Sequence, residues 1–258
     1  MKYYFELKII DDYFSIDHCP IDWKVDERGS IFHRVYYVYS GFAVYEGNNQ
    51  SVELKKGHIY VFPANRAYRI NQDPNEPLKC LWFHVTISPV ILNPIINFDI
   101  TQNIIASNLI KTIVSAVESE LDKTNSKILI EQLLNSLLYL IGLSENFVIL
   151  NNENLNNIIA YIHTNYMKSI TNQSLCMFCG YDKSYFIRLF EKVLGVSPQK
   201  YLLNYRMSMA VGLIKNNIPI SEVAFKVGYT DSKAFCRAFK RAKGIPPSKY
   251  DRSHYLQP

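Results

Sequence analysis

Short runs of β-branched and aromatic residues, separated by turn residues, open the chain. Ile31 to Tyr39, Ile59 to Pro63 and Leu78 to Ile87 read as strands, with Glu46-Gly47-Asn48-Asn49 and Lys55-Lys56-Gly57 as turns and Asn71 to Pro77 as a loop. Strands at this spacing predict a barrel or sandwich. From Thr101 the period becomes helical: Ile104, Ile105, Leu109, Ile113, Val117 and Leu121 recur at helix spacing, and Ile128 to Leu143 repeats the pattern with a wider apolar face. Those two stripes either cover the β core or form a dimer seam. Ser144 to Asn154, rich in Asn and devoid of Pro and Gly, reads as a linker.

Beyond it the chain repeats itself. Phe186-Ile-Arg-Leu-Phe-Glu-Lys-Val-Leu-Gly-Val-Ser-Pro-Gln-Lys-Tyr201 realigns 49 residues later on Phe235-Cys-Arg-Ala-Phe-Lys-Arg-Ala-Lys-Gly-Ile-Pro-Pro-Ser-Lys-Tyr250, with seven identities in register. In each copy a short helix, Gln173 to Cys179 or Ser221 to Val227, stops at Gly180 or Gly228. Asp182, or Thr230 with Asp231, is suited to cap the next helix, which runs to Gly195 or Gly244. One face of that helix is apolar (Phe186, Leu189, Phe190 and Val193; Phe235, Ala238, Phe239 and Ala242). The other carries Lys183, Ser184, Ile187, Arg188 and Lys192 in the first copy, and Ser232, Lys233, Cys236, Arg237, Lys240 and Arg241 in the second. Pro198 to Lys215 reads as a long helix between the copies.

Composition narrows the reading. The chain has 258 residues, 48% hydrophobic and 20% charged, which suits two globular domains and excludes disordered, collagen-like and disulfide-scaffold classes. No uninterrupted apolar run approaches the roughly 18 residues of a membrane span, and the N-terminus does not resemble a signal peptide. Five scattered cysteines fit reduced thiols, so a cytoplasmic protein without membrane partners is expected. Residues 1–149 hold 13 basic and 17 acidic side chains, net −4, whereas residues 150–258 hold 15 and 6, net +9. A basic surplus confined to one end is the footprint of a polyanion partner.

Helix, glycine turn and capped helix with a basic outer face is the layout of a helix-turn-helix, whose second helix enters the major groove of double-stranded DNA. Arg and Lys can bond guanine, Ser can donate or accept, and Ile can meet a thymine methyl. Two such helices on one strut could occupy successive major grooves, roughly 34 Å apart. Cys176-Met-Phe-Cys179 has half a zinc-site spacing, but no further ligands lie near, so packing is the better account and no metal is expected.

Over about 155–252 the chain resembles the AraC/XylS-type transcription regulators. Gly180-Tyr181, Phe190, Gly195, Ser197-Pro198, Tyr201, Arg206, Ala210, Ile220, Ala224, Gly228-Tyr229, Phe235, Phe239-Lys240, Gly244, Pro247 and Tyr250 carry the resemblance. It implies base-facing positions at Ser184, Ile187 and Arg188 in the first motif and at Lys233, Ala234 and Arg237 in the second. It also implies a cupin-like sensor barrel ahead of them, to which Val38-Tyr-Ser-Gly41, Leu54 to Pro63 and Leu81-Trp-Phe-His84 are similar. The resulting expectation is an α+β chain: a cupin-like β-barrel with two trailing helices over 1–148, for ligand sensing and dimerisation, and an all-α DNA-binding domain of two helix-turn-helix motifs over 149–258.

A barrel mouth lined by aromatics suits a small polar effector such as a carbohydrate, with Arg34, Tyr37, Tyr68, Trp82 and His84 as candidate contacts. His33-Arg34-Val35 does not supply the His-x-His pair of a metal-dependent cupin enzyme, so neither catalysis nor a cofactor is expected. A homodimer acting on a promoter operator, with RNA polymerase as a further partner, completes the expectation. Two rivals stand beside it: a cupin enzyme with an accessory nucleic-acid module, and a non-specific nucleic-acid binder.

Overall fold

The computed structural model describes residues 5–250 except Gly29, Glu120, Leu121 and Asn146. It divides into two compact units between Ile149 and Leu150.

The first unit is built from nine strands and two helices: β1 (Glu6–His18), β2 (Lys24–Arg28), β3 (His33–Ser40), β4 (Ala43–Gly47), β5 (Gln50–Leu54), β6 (His58–Phe62), β7 (Ala67–Gln72), β8 (Lys79–Ser88), β9 (Ile96–Asp99), α1 (Ile104–Glu118) and α2 (Lys123–Ser144). A five-stranded sheet runs β1-β8-β3-β6-β9 and a four-stranded sheet β2-β7-β4-β5, all pairs antiparallel. Alternation along the larger sheet divides its side chains between two cores. Val35, Leu81, Phe83, Val85, Ile59 and Val61 pack against Ile113 of α1 and Ile130, Leu134 and Leu137 of α2. Tyr36, Val38, Tyr60, Phe62, Cys80 and Trp82 pack against Val25, Tyr45, Tyr68 and Ile70 of the smaller sheet.

Strand β1 is an edge, and α2 covers it. The Leu7 N–H donates to Asn135 Oδ1 at 2.9 Å and the Ile9 N–H to Glu131 Oε1 at 2.8 Å. The spacing follows from geometry, since four helical residues rise about 6 Å and two strand residues about 6.6 Å. Satisfying an exposed strand edge in this way also removes a template for aggregation. Residues Thr124–Ser144 of α2 are the one segment among the described residues long and apolar enough to cross a membrane. Its Ile130, Leu134, Leu137, Leu138 and Ile141 are instead buried in the core under the sheet.

Two sequence expectations are corrected here. Asn71 and Gln72 end strand β7 rather than forming loop, paired with Lys24 of β2 and Ala43 of β4. The presumed linker is partly core of the first unit: Phe147 is buried against Phe5 at 5.3 Å and Ile149 bridges to Ile91. Of the two apolar stripes, Ile104, Ile105, Ile128 and Leu129 are exposed, whereas Ile113, Ile130, Leu134 and Leu137 cover the sheet. Leu121 lies outside the described residues.

The second unit is helical: α3 (Glu153–Asn165), α4 (Asn172–Cys179), α5 (Lys183–Leu194), α6 (Pro198–Lys215), α7 (Ile220–Lys226) and α8 (Ser232–Lys243), then a 3-10 turn at Pro247–Lys249. Leu155, Ile158, Ile159 and Ile162 give α3 one buried face. Helix α6 spans the Pro198 to Lys215 stretch read from the sequence, with Ser197 as its N-cap and Pro198 in its first turn.

Candidate functional site

Both helix-turn-helix motifs are built by the same local chemistry. Helix α4 ends where Gly180 turns left-handed at φ +70°, and Asp182 then accepts the Ser184 and Tyr185 N–H groups at 2.9 and 3.1 Å to start α5. In the second copy Gly228 turns at φ +82°, and Asp231 accepts the Lys233 and Ala234 N–H groups at 3.1 and 2.9 Å to start α8. Each cap satisfies donors that a helix start leaves free. Gly195 and Gly244 close the two helices in left-handed conformation at φ +74° and +81°.

The shared residues of the repeat form the same aromatic joint twice. Phe186 meets Phe190 at 5.7 Å, as Phe235 meets Phe239 at 5.6 Å. With these rings buried, α5 presents Lys183, Ser184, Arg188 and Lys192 to solvent and keeps Ile187 half-buried. Helix α8 exposes Lys233, Arg237, Lys240 and Arg241, with Ser232, Ala234 and Cys236 half-buried. Each exposed set shares one side of its helix. Tyr185 belongs to the same surface and was not singled out from the sequence. It is 49% exposed beside Ser184 and meets Tyr181 edge to face at 5.3 Å. Its place in the first turn of α5, off the Phe186 and Phe190 face, was the available signal.

In the first unit, four of the five candidate ligand contacts converge between the sheets. Arg34 of β3 lies opposite His84 of β8, and Glu27 of β2 opposite Tyr68 of β7. The Arg34 guanidinium joins the two sheets, donating from Nη1 to Glu27 Oε2 at 2.6 Å and to the Tyr68 hydroxyl at 2.8 Å. Phe32 connects the rest: its ring stacks on His84 at 4.4 Å and lies 5.1 Å from the Arg34 guanidinium carbon, while Trp82 is 5.1 Å from His84. Tyr37 is not part of this group. It follows Tyr36 by one residue and therefore faces the helices, edge to face with Tyr39 at 4.8 Å.

The sequence reading missed Glu27, Phe32 and Tyr36. Burial by itself would raise the Glu27 carboxyl, but the Arg34 charge and hydrogen bond, with bonds from Ser30, outweigh it and hold the group below the usual carboxylate range. Glu27 and Arg34 thus stay charged as a largely buried, mutually neutral pair. Around that pair Arg34 Nε, the Tyr36 hydroxyl and Asn65 Oδ1 are buried without a hydrogen-bond partner among the described residues. Elsewhere in the same core the Trp23 indole N–H is in the same condition. Buried polar groups are seldom left in this state.

All five cysteines are free thiols, and Cys176 is buried in α4 with the Cys179 thiol bonded to its carbonyl at 3.5 Å. No group of three or more His, Cys, Asp or Glu among the described residues is placed to hold a metal ion.

Comparison with known proteins agrees with this geometry. Residues 175–253 match the family model described as a helix-turn-helix domain. The chain is 27% identical to the raffinose operon transcriptional regulatory protein RafR of Pediococcus pentosaceus, over 85% of this chain and 84% of that one. It is 26% identical to the lactose operon transcription activator of Staphylococcus xylosus, over 97% and 95%. Among solved structures, ToxT from Vibrio cholerae O395 shares the fold across 98% of both chains, with a TM-score of 0.63 at 14% identity. The capped basic helices, the repeat that builds them and these relatives together identify a DNA-binding transcription regulator that is similar to the AraC/XylS-type proteins.

Proposed function

We propose that this regulator is a cytoplasmic, non-enzymatic, sequence-specific switch of a carbohydrate operon, responding to a neutral polyhydroxylated ligand held between the sheets of its first unit. The observation that carries the ligand reading is the Glu27, Arg34 and Tyr68 cluster, surrounded by buried hydroxyl, amide and guanidinium atoms with unused hydrogen-bonding capacity. A sugar supplies both donors and acceptors to such groups, and aromatic rings such as Phe32, Trp82 and Tyr68 offer it apolar faces. Because Glu27 already neutralises Arg34, an anionic ligand would meet a carboxylate at the same place. Relatives named for raffinose and lactose operons support this ligand class.

Lys183, Ser184, Ile187, Arg188 and Lys192, with Ser232, Lys233, Ala234, Arg237, Lys240 and Arg241, form the proposed operator surface. Affinity comes from phosphate contacts and sequence from base edges. Exposed Ile104, Ile105 and Ile128 on α1 and α2 support pairing with a second copy. A ligand can act only through different affinities for two arrangements of the regulator.

The test is a panel of mono- and oligosaccharides, added to the full chain with its operator, read by thermal shift and operator affinity. One sugar is expected to change both, and Tyr68→Phe to weaken that response without changing ligand-free DNA binding. A response only to carboxylates, or none that depends on Tyr68, overturns the ligand assignment.

A further inference from the structure

The two recognition turns look alike in sequence but are packed differently. Gly180 and Gly228 hold the same left-handed position in their motifs. A Cβ on Gly180 would meet nothing within 4 Å, whereas one on Gly228 would lie 2.7 Å from the Met167 carbonyl oxygen and 2.8 Å from Arg206 Nη2. The second motif's turn is therefore pressed onto the segment that leads into the first motif.

Arg206, in the middle of α6, organises that junction. Its Nε donates to the Tyr166 carbonyl at 2.8 Å and its Nη2 to the Lys168 carbonyl at 2.8 Å, so one planar fork ties α6 to the chain just before α4. The same guanidinium lies 5.6 Å from the centre of the Tyr229 ring. Tyr229 in turn meets Phe235, in the first turn of α8, at 5.6 Å and 68°. One continuous set of contacts thus runs from the entry of the first motif, through Arg206, to the second recognition helix. The covalent path from α6 to α8 runs through Asn216 to Pro219, where Asn217 is left-handed at φ +57°, and then through α7. Tyr181, the counterpart of Tyr229, differs: among the described residues its hydroxyl accepts from Asn154 Nδ2 of α3 at 3.1 Å.

We propose that Arg206, with Gly228 and Tyr229, is a positioning device that fixes the second recognition helix relative to the first and so sets the half-site spacing the regulator accepts. None of the three needs to touch a base. The inference rests on the two helices reading one duplex, and the experiment separates the two claims.

The full chain is titrated with duplexes carrying its two recognition blocks at the selected spacing and at insertions or deletions of one and two base pairs. A one-base-pair change moves a half-site by about 3.4 Å and turns it by about 34–36°. Wild type is expected to lose roughly tenfold or more at each such change. Arg206→Met is expected to bind the best spacing more weakly and to discriminate among spacings less than about threefold, a narrowing that a uniform loss of fold would not produce. Gly180→Ala and Gly228→Ala share the left-handed strain, yet only the second should flatten the profile. Tyr229→Leu, which keeps both Arg206 hydrogen bonds, supplies the reading if Arg206→Met does not fold. A wild-type profile that is already flat overturns the two-helix reading together with this inference. A sharp profile retained by Gly228→Ala and by Arg206→Met or Tyr229→Leu overturns the inference alone.

Discussion

Phe190 meets Tyr201 edge to face, ring centres 5.6 Å apart and planes at 81°, and Phe239 repeats the contact with Tyr250 at 5.1 Å and 88°. These pairs explain why the internal repeat keeps Phe and Tyr at fixed separation: each locks a recognition helix to the segment that follows its glycine cap. Phe190 and Phe239 are fully buried. Truncating either to Ala is expected to cost roughly 3–5 kcal/mol, measured by chemical denaturation of the full chain. A loss below about 1 kcal/mol would mean that the joint is not what holds the helix.

On the proposed operator surface the exposed cations of α5 and α8 take two roles. Arg188→Ala and Arg237→Ala are each expected to lower affinity by about 1–3 kcal/mol and to relax preference at one base position. Lys192→Ala and Lys240→Ala should weaken all sequences alike and reduce the salt slope by about one. Binding profiles across single-base operator variants and several salt concentrations distinguish these patterns, and identical behaviour of all four variants contradicts the assignment.

Tyr36 has a hydroxyl that is fully buried with no partner among the described residues. Removing it with Tyr36→Phe relieves an unsatisfied group, which costs about 1–3 kcal/mol when buried. The ligand-free protein should therefore melt higher while its sugar response weakens. A lower melting temperature with an unchanged response would place the hydroxyl outside the ligand site.

His163 lies flat against Tyr205 at 4.3 Å, its Nε2 2.9 Å from the Tyr201 hydroxyl. Burial disfavours the imidazolium and lowers its pKa from 6.5 to about 4. The unfolded chain gains a proton near pH 6.5 that the folded chain takes only near pH 4, so this contribution is complete above pH 6.5 and shrinks as pH falls. Between pH 7 and pH 5 it should weaken by about 1–2 kcal/mol. Denaturation of wild type and His163→Gln at several pH values checks this, because the variant should lose that part of the slope. Equal slopes would show that His163 titrates alike in both states.

The DNA-binding unit was legible in the sequence because its determinants are local. Asp182 and Asp231 sit two and three residues from the N–H groups they cap, the glycines end their helices in place, and the amphipathic period sorts Phe190 from Arg188. The first unit was less legible because its determinants are distant pairings. Strand β2 is mostly charged, Lys24-Val-Asp-Glu-Arg28, yet Glu27 is largely buried because Arg34 and Tyr68 come to it from other strands. Strand β1 hides its alternation behind a register shift between Ile9 and Phe14. Tyr37 was grouped with Arg34 by composition, and only the pleat shows that it faces the helices. The Gly180 and Gly228 difference had no sequence signal, since it depends on what packs against each turn.

Selecting bound sequences from random duplex DNA with the full chain at about 150 mM salt tests the central claim most directly. Two short blocks about one helical turn apart, one altered by Arg188→Ala and the other by Arg237→Ala, are the predicted result. Recovery of no motif, or of a single block that neither substitution changes, would contradict it.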